Sequence, residues 1–148
     1  MKKLALTLSS VGFAFLLTGC STTTSTPVQY KALTKNVISI EENTSANNVK
    51  VKTLAFTAAP GVNDSPWCRA MGPISLGSKT AAQFIHDAFQ EELFLAKAYS
   101  NSADISISGR IEKLEFSSIA PAHWTVGLSL SSSNGYTYDV ENKYVFKT

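Results

Sequence analysis

Apolar and polar positions alternate at two different periods along the chain, and the switch between them outlines the architecture. From Ala81 the apolar residues Phe84, Ile85, Ala88, Phe89, Leu93 and Ala96 recur at steps of three and four, while Asp87, Gln90 and Glu91 fall between them. That spacing predicts an amphipathic helix to about Ala98, ended by Ser100-Asn101. Thr80, with Gln83 three residues on, forms a capping box at its start.

Downstream the period becomes two. Asp104 to Ile111 alternates strictly, and Leu114 and Phe116 continue in the opposite phase. One strand over 104–117 with a bulge near Glu112 and Lys113 accounts for both runs. Trp124, Val126, Leu128 and Leu130 then alternate with small polar residues, and Tyr136, Tyr138, Val140, Tyr144 and Phe146 follow beyond Asn134-Gly135. A two-residue Asn-Gly loop would set Leu130 against Asp139. A three-residue loop, Ser133-Asn134-Gly135, instead pairs Leu130 with Tyr138, Leu128 with Val140 and Trp124 with Tyr144, at the cost of Asn142 facing Val126. At period two the aromatic residues of this hairpin, Trp124, Tyr136, Tyr138, Tyr144 and Phe146, read as core, with an exposed ligand or partner surface as the alternative.

Ahead of the helix, Val37-Ile38-Ser39-Ile40 reads as a short β-branched strand and residues 41–48 as a polar loop. Residues 49–56 form a second strand, whose apolar phase slips by one near Thr53 and marks a bulge or strand end there. Residues 58–78 hold three of the five prolines and three of the eight glycines without periodicity. Loops of this length are usually functional or need tying. The order strand, strand, helix, strand, strand, strand contains no βαβ repetition. It predicts an α+β domain over 35–148, with one main amphipathic helix packed on a largely antiparallel sheet of about five strands.

The N-terminal pattern is of another kind. Lys2 and Lys3 precede an apolar run from Leu4 to Leu17 and then Thr18, Gly19 and Cys20. The run falls short of the about 20 residues of a membrane span and has the layout of a secretory signal. Leu17-Thr18-Gly19-Cys20 resembles the lipobox of bacterial lipoproteins. The resemblance implies a signal peptide over 1–19, a Cys20 that is acylated, palmitate included, as the mature N-terminus, and a membrane anchored through it. Ser21, in place of an aspartate, implies the outer membrane. Residues 20–34, Ser/Thr-rich to Gln29, then read as a tether that lifts the domain into the periplasm.

Cleavage alters the charge. The precursor carries 13 basic and 11 acidic residues, and losing Lys2 and Lys3 leaves a formally neutral chain of 129 residues. No basic patch argues for nucleic acid.

Catalytic chemistry finds little support. A thiol hydrolase would need Cys68 with His86 or His123 and one of Asp64, Asp87, Asp104 or Asp139, but no spacing favours one set. His86 falls on the polar face of the helix and His123 in a loop after Pro121, so both read as surface residues. They lie too far apart in the chain to suggest a metal site, and no cofactor motif is present. Gly109 and Gly127 lie inside strands, where a missing side chain permits a bulge or close packing.

The segments P-W-C-R-A-M-G-P-I, D-A-F-Q-E-E-L-F-L-A-K-A-Y, I-S-I-S-G-R-I-E-K-L-E-F-S-S and W-T-V-G-L-S-L-S-S-S-N-G resemble a family of uncharacterised proteobacterial lipoproteins over roughly residues 60–148. The resemblance implies no assigned activity. It implies a longer chain, with a later cysteine that would bridge Cys68 and a further helix, so that the domain is C-terminally incomplete here. The reading is then a non-enzymatic, lipid-anchored periplasmic module that binds an envelope protein or plays a structural part. The alternatives are an accessory subunit of an envelope transport or assembly complex, and the thiol-dependent hydrolase.

Overall fold

The computed structural model describes residues 29–68 and 72–145. The signal segment, Cys20, most of the tether and Phe146 therefore lie outside the described residues.

The capping box predicted at Thr80 starts the long helix, here α2 (Ala81–Leu95). Gln83 N–H donates to Thr80 Oγ1 at 3.2 Å, and Thr80 N–H donates to Gln83 Oε1 at 2.9 Å. Asp64 reaches in from the preceding loop and accepts the Ala81 N–H at 2.7 Å, satisfying a further first-turn donor. The helix stops earlier than its periodicity implied. Lys97 adopts φ 57°, and the N–H groups of Lys97 and Ala98 donate back to Phe94 and Leu93, a closure that fixes the exit direction without glycine.

The principal sheet holds five strands: β1 (Val51–Thr53), β2 (Thr57–Ala58), β5 (Ile105–Ser117), β6 (His123–Ser132) and β7 (Thr137–Val145). Between β2 and α2, β3 (Trp67–Cys68) and β4 (Gly72–Pro73) pair as a small hairpin inside the segment expected to lack strands. β5, β6 and β7 form an antiparallel meander. β1 and β2 lie end to end along β5, both parallel to it, so the sheet is mixed with an antiparallel majority. The interruption between them is the phase slip seen near Thr53. The bulge also falls where the alternation changes phase, since the β5–β6 register shifts between Ile111 and Lys113. One extra residue keeps Ile111 and Leu114 on the same face.

The β6–β7 register is the one deduced from matching faces: Leu130 opposite Tyr138, Leu128 opposite Val140, Trp124 opposite Tyr144 and Asn142 opposite Val126. Gly135 closes the turn at φ 93°.

One element differs in kind. Residues expected as a strand and loop form α1 (Thr34–Ser45), an α-helix. Val37 and Ile40, three residues apart, pack on the cluster of Val51, Leu93, Ala96 and Ala98. Docking on α2 outweighs the weak strand preference of a few β-branched residues.

The second cluster, Phe56, Ala81, Ala82 and Ile111, lies between α2 and the sheet; Ile85, Phe89, Leu114, Leu128 and Leu130 pack around it. Phe89 thus meets the face that carries Leu128 and Leu130, as the helical pattern required. The opposite face of the sheet is polar, with ion pairs from Arg110 to Glu112 at 3.2 Å and from Lys113 to Glu141 at 3.6 Å.

Candidate functional site

Three places gather functional groups, and the sequence pointed to only some of them. The first lies where α2 meets β1. His86, expected on the polar face, instead turns its ring toward the sheet, with Nε2 3.0 Å from Thr53 Oγ1 and its edge against the Phe56 ring at a 5.2 Å centroid distance. Its other nitrogen lies 3.1 Å from Asp87 Oδ1, and Lys79 Nζ binds the second oxygen of Asp87 at 2.7 Å. The Lys79 hydrogen bond holds the Asp87 carboxyl below its usual range, and the contact with His86 adds to this. Thr53 in turn donates to Gln90 Oε1 at 3.0 Å.

Of the hydrolase combinations, the fold brings His86 and Asp87 together, with a threonine hydroxyl as the third member. Asp64 caps α2 and Asp139 accepts from Ser129 Oγ. His123 is not in a loop but opens β6, with Nδ1 2.9 Å from the Pro121 carbonyl. The Cys68 backbone pairs with Gly72 in the β3–β4 hairpin. The His86 cluster is best described as a polar clasp: it ties α2 to β1 at the rim of the Phe56 core.

The second place is Glu92, which the sequence reading overlooked. The residue is 8% exposed. It accepts hydrogen bonds from the Tyr30 hydroxyl, from Leu33 N–H at 3.2 Å and from the Asn36 amide at 2.9 and 3.0 Å to its two oxygens. Three donors from one short N-terminal segment replace the water lost on burial. Burial, and then the hydrogen bond to Glu92 and its charge, push the Tyr30 hydroxyl above its ordinary value of 10.0. The signal was present: Glu92 stands seven residues after Ile85 and four before Ala96, on the apolar stripe.

The third place is the far half of the sheet. α2 lies over β2 and β5 and stops short of β7. On the face it leaves open, Tyr138 and Tyr144 are 63% and 57% exposed, and Tyr136 is exposed beside them. The reading of these tyrosines as core is overturned. Their alternation is sound, but nothing among the described residues covers that part of the face. Phe116 and Trp124 meet as tilted rings, 5.0 Å between centroids, at the other end of the same half.

Among the described residues no three His, Cys, Asp or Glu side chains are placed to hold a metal ion, and no helix is long and apolar enough to cross a membrane.

Comparison with protein-family models and with curated proteins gives no match. Among solved structures, the chain is similar to protein XCC0632 from Xanthomonas campestris, of family DUF330, with a TM-score of 0.50, 11% identity and 68% of each chain covered. The likeness is one of fold. It shows that this arrangement of helix and sheet occurs elsewhere, in a module to which that description attaches no activity.

Proposed function

We propose that the protein is a lipid-anchored binding module of the bacterial cell envelope. Acylated Cys20 holds it at the periplasmic face of the outer membrane, and the domain takes a protein partner on the open half of its sheet. The observation that carries this reading is the exposed tyrosine face of β7, which lies on the apolar side of an otherwise two-sided sheet. Tyrosine combines a large apolar body with a hydroxyl and is enriched where proteins meet. Exposed apolar patches of this kind mark interaction surfaces. The anchor rests on the lipobox resemblance at Leu17-Thr18-Gly19-Cys20 and on the leader before it. Several acyl chains make such attachment effectively permanent.

The test combines two labels in cells. A clickable fatty acid should mark the protein, and Cys20→Ser should abolish that mark; an undiminished label would remove the anchor. A photo-cross-linking side chain at Tyr138 should capture another envelope protein, and one at Thr125, on the polar face, should not. Equal capture from both positions, or none from Tyr138, would remove the binding surface.

A further inference from the structure

Among the described residues β7 is the outermost strand of the sheet, and it matches β6 over nine successive pairs with no register shift. It contains neither proline nor glycine, and every residue of it but Val140 is exposed. Natural sheets usually blunt such an edge with charged side chains, lysine above all, or interrupt it with a bulge, a proline or an inward-pointing charge; β7 has Lys143 but none of the interruptions. Here the charges Asp139, Glu141 and Lys143 all project from the polar face.

Backbone geometry fixes how a second strand would join. Ser132 N–H donates to the Tyr136 carbonyl. By the alternation of an antiparallel ladder, the even-numbered residues of β7 turn their backbone groups toward β6, and the odd-numbered ones turn theirs to the open edge. A second antiparallel strand must therefore set odd residues opposite odd residues.

We infer that this edge pairs with β7 of a second copy of the chain, about a two-fold axis through Asn142. Self-pairing is symmetric, so each register is named by the residue on the axis. An axis at Val140 sets Asp139 against Glu141 twice. One at Glu141 makes two glutamates meet, and one at Lys143 makes two lysines meet. Like charges directly opposite are destabilising. The axis at Asn142 avoids them all: Glu141 faces Lys143 on both sides, Val140 faces Tyr144 on the apolar side, and the two Asn142 amides meet with donor toward acceptor. That last contact also gives a reason for Asn142, which otherwise faces Val126 on an apolar face. The pairing joins the two sheets edge to edge and leaves the tyrosine face open for a different partner. It goes beyond the binding reading and does not depend on the anchor.

Asn142 on the axis is a non-hydrogen-bonded pair, whose Cα atoms lie about 4.5 Å apart, within disulfide reach. The full-length chain in detergent micelles, carrying Asn142→Cys, should form a disulfide-linked dimer under mild oxidation. The parent, with its own cysteines, and Asp139→Cys should not. Glu141→Lys should lower the dimer fraction by about tenfold, and the swap Glu141→Lys with Lys143→Glu should restore it. Circular dichroism on each variant confirms that the fold is kept. A folded Asn142→Cys chain that stays monomeric, links to a segment of its own chain or links to another protein would overturn the inference, as would a swap that fails to restore dimer. Capture of an envelope protein from Tyr138 would be untouched by any of these results.

Discussion

Gly109 lies directly beneath the ring of Phe56, so close that a Cβ at this position would stand 2.6 Å from two ring carbons. The glycine is there for space, since the neighbouring strand and the helix close on the same ring. Gly109→Ala should cost about 1–3 kcal/mol through overpacking, measured by urea unfolding. Phe56→Leu in the same chain should recover part of that loss, whereas strand propensity alone would give no such recovery.

Phe89 and His86 sit one turn apart on α2, and each touches Phe56, by a tilted ring contact at 5.7 Å and an edge contact at 5.2 Å respectively. Phe89→Ala should cost about 3 kcal/mol. His86→Ala should cost about 1–2 kcal/mol, because it removes the His86–Thr53 hydrogen bond and the edge contact with Phe56, leaving Thr53 with Gln90 alone. A double-mutant cycle with Thr53→Val should show coupling between the two positions; additive losses would mean that the His86–Thr53 contact contributes nothing.

Glu92→Ala should release α1 before the sheet loosens. Without the carboxylate, Tyr30, Leu33 and Asn36 lose their shared acceptor, at a cost of about 2–3 kcal/mol. Hydrogen exchange should quicken first over residues 33–45, with β5 and β6 unchanged.

The same site makes stability depend on alkaline pH. Tyr30 has a raised pKa in the folded protein. The folded state therefore keeps the phenolic proton that the unfolded chain gives up above 10.0. Its contribution is fully present below that pH and is lost as pH rises toward the folded value. Tyr30→Phe should flatten this part of the pH profile in denaturant titrations; an identical alkaline slope in both proteins would show that Tyr30 does not carry it.

The downstream half of the fold was legible because its pattern is redundant. In the β6–β7 hairpin each face carries several residues of one type, so a single register satisfies them all, and the bulge in β5 is written as a change of phase. At Val37-Ile38-Ser39-Ile40 the four residues fit either period, and only their docking on Leu93 and Val51 decides for the helix. His86 was misplaced for a related reason. It borders the apolar stripe of α2, and its inward turn depends on Thr53, which is distant in sequence. Glu92 could have been found, since a carboxylate within an apolar stripe needs partners. Which residues supply them was not readable, because Tyr30 and Asn36 have no periodic relation to it.

The parallel seating of β1 and β2 on β5 also sets an order of assembly. β5, β6 and β7 are joined by short turns and can zip together quickly, as neighbours in sequence do. β1 and β2 must wait for β5, with all of α2 between them, and α1 can dock only once α2 is in place. The chain is thus expected to fold against the direction of its synthesis, with the later-made meander as the template and α1 docking last; pulse-labelling hydrogen exchange during refolding should protect β5 and β6 before residues 34–45.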